Sequence, residues 1–252
     1  LKKFDTCGFD ESSTASITRV IIIVASIFHV IRTHILPRLI KFIQQFLSME
    51  VEFSKGAIKF SKELSDLDTF VLDVVDILNS CKIRYVIVSG YIAILFGRPR
   101  ATEDVDFLME NIDFDKFKDF ISISKNQGFE VMNSPDANEL YFDFLRKYTA
   151  IRLYRTRIFP NAEIKFAKDE LNKEALDNPS RVILNSRELL ISPLEQQVAY
   201  KLYLGSRKDI QDARFIFGIF KDNLDTKDIL RMSKILKVEA KFDKYLGAKD
   251  EG

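Results

Sequence analysis

Residues 85–108 read YVIVSGYIAILFGRPRATEDVDFL, and this stretch restricts the fold more than any other part of the chain. The short apolar run 84–89 is rich in β-branched residues and has the length of a buried strand. It ends in Ser89-Gly90, a small pair that lets the backbone turn sharply. Residues 90–96 read as a short helix that Gly97 terminates. Residues 104–109 then alternate as a second strand, and that strand carries two acids.

In a strand, residues i and i+2 point to the same face, with Cα atoms about 6.6 Å apart. Asp104 and Asp106 therefore project together, while Val105 and Phe107 face the core. Two such carboxylates repel each other unless a cation sits between them. Hard oxygen donors of this kind suit Mg²⁺, with Mn²⁺ as the alternative. An isolated D-x-D is more often a solvated strand end. Here the Ser89-Gly90 turn precedes it, and backbone N–H groups at such a turn can approach phosphate oxygens closely. Arg98 and Arg100 stand beside that turn, as its cations or as a basic surface loop. A two-metal arrangement needs a third carboxylate from a neighbouring strand. Glu163, in Ala162-Glu163-Ile164-Lys165-Phe166, is the candidate, and it shares its face with Lys165.

Elsewhere Leu67, Phe70, Val71, Val74, Ile77 and Leu78 recur at helical spacing. Residues 113–126 read as a further helix and 129–132 as a third strand. Residues 151–157 and 162–167 read as a hairpin turned at Phe159-Pro160-Asn161, with 187–191 as a short edge element. From Ser192 onward the pattern is helical. Ser192-Pro193-Leu194-Glu195 gives a Ser N-cap, a first-turn Pro and a Glu reaching back. Gly205 ends that helix, and Ser206 with Asp209 caps the next. The fold class is α+β: a mixed sheet flanked by helices, with a C-terminal helical bundle. The expected division is an apolar extension over 1–48, a sheet domain over 49–191 and a helical domain over 192–252.

Lys201 falls seven residues after Leu194, on the same apolar stripe as Val198. It either snorkels outward or aims its ammonium at a phosphate in a cleft. Lys208 and Asp212, at i and i+4, read as a surface pair.

Hydrophobic residues make up 46% and charged residues 30% of the 252-residue chain, which suits a globular protein. A formal net charge of +1 gives no bulk case for binding DNA. Cys7 and Cys81 have no metal-ligand spacing and fit a reducing cytoplasm. His29 and His34 lack zinc spacing. The first 48 residues admit three readings: an upstream extension with the start at Met49, an accessory helical pair, or a membrane-associated helix. The apolar run 20–31 is shorter than the about 20 residues a bilayer crossing needs.

The Ser89-Gly90 turn, followed by Arg100, Thr102, Asp104, Val105 and Asp106, resembles the nucleotidyltransferase superfamily of DNA polymerase β, more narrowly its AbiEii-like and small archaeal-type members. Their pattern is Gly-Ser or Gly-Gly, a short helix, then R-x-T-x-D-h-D with h apolar. A second block, Pro193-Leu194-Glu195 to Lys201-Leu202 and Arg207-Lys208-Asp209 to Asp212-Ala213, is similar to the family's helical segment. The resemblance implies that Asp104, Asp106 and Glu163 bind the metals and carry catalysis. It further implies that Ser89 and Gly90 contact the triphosphate of a nucleoside triphosphate and that Lys201 aims at a phosphate; Arg100, Thr102 and Lys165 are the further candidates for nucleotide contact. The third strand departs from the family, which commonly places Asp where this chain reads E-I-K-F.

The expected activity is Mg²⁺-dependent transfer of a nucleoside monophosphate from an NTP to an acceptor hydroxyl of RNA, protein or a small molecule. No P-loop or Rossmann fingerprint competes with it. The alternative is a nucleotide-binding or toxin–antitoxin-type partner protein of the same fold without turnover.

Overall fold

The computed structural model describes residues 51–54 and 56–247, together with 32, 33 and 36. The readings made for 1–48, and those for Cys7, His29 and His34, lie outside the described residues. Residues 51–252 form one unit, and only that unit is described below.

The chain opens with β1 (Glu52–Ser54) and β2 (Ala57–Phe60), then α1 (Asp66–Ser80). Ser65 caps α1: its Oγ accepts from the Asp68 N–H at 3.1 Å, and Asp68 Oδ2 accepts from the Ser65 N–H at 2.9 Å. Such a box satisfies two orphan donors and is worth about 1 kcal/mol. Of the expected apolar stripe of α1, Phe70, Val71, Val74, Ile77 and Leu78 are buried and Leu67 is half-buried. β3 (Tyr85–Val88), α2 (Gly90–Leu95) and β4 (Asp104–Met109) follow, as the sequence pattern requires.

Next come α3 (Phe114–Asn126), β5 (Glu130–Val131), a set of short helical turns, and the hairpin β6 (Ile151–Arg155) and β7 (Arg157–Phe166). The hairpin turns at Thr156, which takes a left-handed φ of 58°, rather than at Phe159-Pro160-Asn161. After α4 (Glu170–Asp177), strands β8 (Ser180–Leu184) and β9 (Arg187–Ile191) form a second hairpin. Helices α5 (Leu194–Leu204), α6 (Arg207–Phe220), α7 (Thr226–Ile235) and α8 (Glu239–Tyr245) complete the described chain.

All the described strands belong to one mixed sheet in the order β1-β2-β8-β9-β3-β4-β7-β6-β5. Residues 187–191, expected at an edge, lie inside it: β9 is parallel to β3 and antiparallel to β8. A five-residue strand of two charged and three apolar residues is compatible with either place, and only the non-local pairing decides. β4 sits between antiparallel β3 and parallel β7.

One face of β4 places Val105, Phe107 and Met109, all fully buried, in the core. The other face presents Asp104, Asp106 and Leu108. Because α4 leaves from the C-terminal end of β7, it covers only that end of the neighbouring strand. Leu108 and Val86 pack there with Ala167, Ala175 and Leu176. Burying side chains of this size contributes about 1.5–3 kcal/mol each. The acidic half of β4 is left clear of the helix. Among the described residues, no helix is long and apolar enough to cross a membrane.

Candidate active site

The register of the sheet sets the acids side by side. Asp106 pairs with Val88 on β3 and with Glu163 on β7, and Glu163 pairs with Arg152 on β6. Paired residues on adjacent strands share a face about 4.8 Å apart. Asp104, Asp106, Glu163 and Lys165 therefore occupy one face, as the i, i+2 pattern requires. Asp104 pairs with the buried Asn161, and Thr102 Oγ1 donates to the Asp104 carbonyl at 3.0 Å, fixing the entry into β4.

Crowding of like charge has an electrostatic consequence. Burial first, and then the Asp104 carboxylate, push the Asp106 pKa up to about 6; Glu163 adds to the rise, while Lys165 and a hydrogen bond from Ser89 oppose it. The ionised pair is thus held at a cost that a bound cation would relieve. Glu163 is less available, because Arg152 Nε lies 2.6 Å from its Oε1 and Nη2 also reaches that oxygen. Among the described residues, no three acidic, histidine or cysteine side chains converge on one point. The donor set fits Mg²⁺ in the manner of an ion held by one or two carboxylates and completed by phosphate oxygens and water.

Ser89 ends β3 with φ 67° and ψ −134°, outside the regions that L-residues favour. Strain of this kind costs about 1–3 kcal/mol and persists where the surroundings over-determine it. Gly90 follows, with the Arg100 side chain lying over it. Ser89 meets another restraint, which the sequence did not suggest: Gln197 of α5 bonds both of its backbone groups. Gln197 Nε2 donates to the Ser89 carbonyl at 2.7 Å, and the Ser89 N–H donates to Gln197 Oε1 at 3.2 Å.

Arg98 and Arg100 are not a surface loop. Both guanidinium groups bind the Asp212 carboxylate, one on each oxygen, and Asp212 has no exposed surface. Lys201 neither snorkels nor stands free: it is 2% exposed, 2.8 Å from Asp209 Oδ1 and 3.1 Å from Asp212 Oδ2. Asp212 is accordingly a buried hub and not the surface partner of Lys208. Three cations against two carboxylates leave one positive charge in excess. Burial pushes the Lys201 pKa down, against the upward pull of the Asp209 hydrogen bond. The network feels the paired acids, since Asp104 and Asp106 both favour the charged form of Arg100.

Helix α5 serves both sides. Its i, i+4 row Gln197–Lys201 faces the Ser89 turn and this network, while the row Gln196–Tyr200–Leu204 lines a cleft of about 390 Å³. Asp106, Lys165 and Tyr148 also border that cleft. The helix begins at Leu194 with Pro193 as its cap residue, so Ser192 is not the N-cap; its Oγ lies 3.2 Å from Gln197 Oε1 instead. Glu195 accepts from the Asp225 N–H at 3.0 Å rather than reaching back.

No family model matches the sequence, and no curated protein matches it. Among solved structures, the chain is similar to an antigenic nucleotidyltransferase-like protein from Paracoccidioides brasiliensis, at 18% identity and a TM-score of 0.47, covering 73% of this chain and 93% of that one. It is also similar to ANT(2")-Ia in complex with adenylyl-2"-tobramycin, at 13% identity and a TM-score of 0.46, covering 70% and 99%. A third is the lincosamide antibiotic adenylyltransferase LnuA with lincomycin bound, at 12% identity and a TM-score of 0.42, covering 63% and 99%.

Proposed function

We propose that this chain is a divalent-metal-dependent nucleotidyltransferase. The observation that carries the reading is the lateral grouping of Asp104, Asp106 and Glu163 next to the strained Ser89-Gly90 turn, with the Asp106 pKa raised to about 6. In the reaction, an acceptor hydroxyl oxygen forms a bond to the α-phosphorus of an NTP, the bond from that phosphorus to the bridging oxygen of the β-phosphate breaks, and pyrophosphate and the hydroxyl proton leave. Bound Mg²⁺ would supply charge neutralisation and a lowered hydroxyl pKa. Asp104 and Asp106 would hold it, with Glu163 as the third candidate. The Ser89-Gly90 backbone would seat phosphate oxygens, and Thr102 keeps Asp104 in place. The excess charge of the Arg98, Arg100 and Lys201 network favours the triphosphate through its field, since its members are already bonded to Asp209 and Asp212. Lys165 and Lys168 line the cleft, and Lys165, on the face that carries Asp106, is the cation beside the reacting groups.

A second reading has two observations in its favour. Arg152 occupies Glu163, and Lys165 offsets part of the Asp106 charge from within the protein. A chain so arranged could bind nucleotide, or a toxin–antitoxin-type partner, without turnover.

Calorimetry with each NTP, with and without Mg²⁺, tests the site: binding is expected only with the metal and is lost in the Asp104→Asn, Asp106→Asn double variant. Incubation with α-labelled NTPs and cell extract then separates the readings. Label transferred to RNA, protein or a small molecule supports transfer; metal-dependent binding with no labelled product supports the second reading.

A further inference from the structure

We propose that Gln197 is a positioning residue for the Ser89-Gly90 turn, and that its carboxamide replaces a missing strand. The inference rests on the site reading above and extends it to a residue of the helical segment. β9 pairs with β3 only through Ile191 opposite Ile87, and the Ser192 N–H then donates to the Ile87 carbonyl at 2.9 Å. Beyond that point the chain leaves the sheet at Pro193, which has no N–H to give. Ser89, one residue past the end of β3, would face an empty edge with both part-buried backbone groups unpaired. Gln197 sits one turn into α5 and fills that edge. Its Nε2 donates to the Ser89 carbonyl and its Oε1 accepts from the Ser89 N–H, as a strand residue would do.

The amide is itself held. Gln197 is 2% exposed, and the Ser192 hydroxyl lies 3.2 Å from its Oε1. Ser89 and Asp106 line the same cleft, and the Ser89 hydroxyl helps to hold the Asp106 pKa down. A chain of contacts thus runs from α5 through the turn to the paired acids. Of the side chains able to span this gap, only an amide offers a donor and an acceptor on one rigid plane; a carboxylate would set an oxygen against the Ser89 carbonyl.

The test uses the full chain and three proteins: wild type, Gln197→Met, and Val71→Ala. Methionine keeps the volume and removes both hydrogen bonds. Val71 is a fully buried residue of α1, on the opposite side of the sheet, and serves as a destabilised control. Affinities for Mg²⁺·NTP and for Mn²⁺ alone are measured by calorimetry, beside unfolding in urea. Gln197→Met is expected to weaken Mg²⁺·NTP binding about ten-fold, the scale of one or two lost hydrogen bonds, with Mn²⁺ affinity held. Val71→Ala is expected to lose stability and keep both affinities. Unchanged NTP affinity in Gln197→Met overturns the positioning role and leaves the proposed function standing. Parallel loss of NTP and Mn²⁺ binding in both variants also overturns it, as general loosening. Absence of NTP binding in the wild type overturns the proposed function, and this inference with it.

Discussion

The guanidinium of Arg100 occupies the space that a side chain on Gly90 would need. A Cβ placed on Gly90 would lie 2.8 Å from Arg100 Nη2 and 3.2 Å from its Cζ. Glycine is thus required by a neighbour some ten residues along the chain, and the neighbour is fixed by Asp212.

Gly90→Ala is therefore expected to displace Arg100 and lower stability by about 1–3 kcal/mol, the range for inserting a methyl group into packed surroundings. In an Arg100→Ala background the same change should cost much less, since the obstructing group is gone. Urea unfolding of the four proteins gives the coupling. Additive effects would show that Arg100 is not the obstacle.

Asp106→Asn should stabilise the metal-free protein at neutral pH. The sign follows from the raised pKa. A carboxyl group whose folded pKa, about 6, exceeds its ordinary 3.8 favours protonation in the folded state. Its ionised form then subtracts from stability above pH 6, and the penalty fades as pH falls towards 3.8. The variant should exceed wild type by on the order of 1–3 kcal/mol at pH 7.5 and match it near pH 4. Melting curves across that range check this, and a constant difference at every pH would refute it.

Arg152→Gln bears on whether Glu163 can serve as the third metal ligand. Arg152 holds Glu163 Oε1 through two nitrogens. Removing that competitor should tighten Mn²⁺ binding several-fold, by about 1 kcal/mol for a partly exposed pair. Titration followed by electron paramagnetic resonance reads it directly. Unchanged affinity would take Glu163 out of the ligand set.

Local chemistry made much of this legible in the sequence. The strand, turn, short helix and acidic strand of 85–108 declare themselves because each depends on neighbours within a few residues. The two-residue strand period pairs Asp104 with Asp106 and Glu163 with Lys165, while the register of β4 on β7 brings the two pairs to one face. What escaped were contacts spanning long stretches of chain. Gln197 reaches Ser89 across 108 positions, and nothing in Leu194–Leu204 marks one glutamine above its neighbour. Asp212 looked like half of a helical surface pair because Lys208 is four residues away, yet its partners are Arg98, Arg100 and Lys201. The position of β9 beside β3 is of the same kind, since its composition is compatible with an edge or the interior.

That position has a consequence for biosynthesis. β3 is complete by residue 88, but the neighbour that closes its second flank ends at Ile191. Until the ribosome has released about a hundred further residues, β3 has an unpaired flank of hydrogen-bonding groups, a template for pairing with the wrong chain. The turn that would seat phosphate is then among the last parts of the sheet to acquire its final shape. A nascent or prematurely ended chain can hold both aspartates in their strand and still lack the Gln197 restraint on the turn beside them.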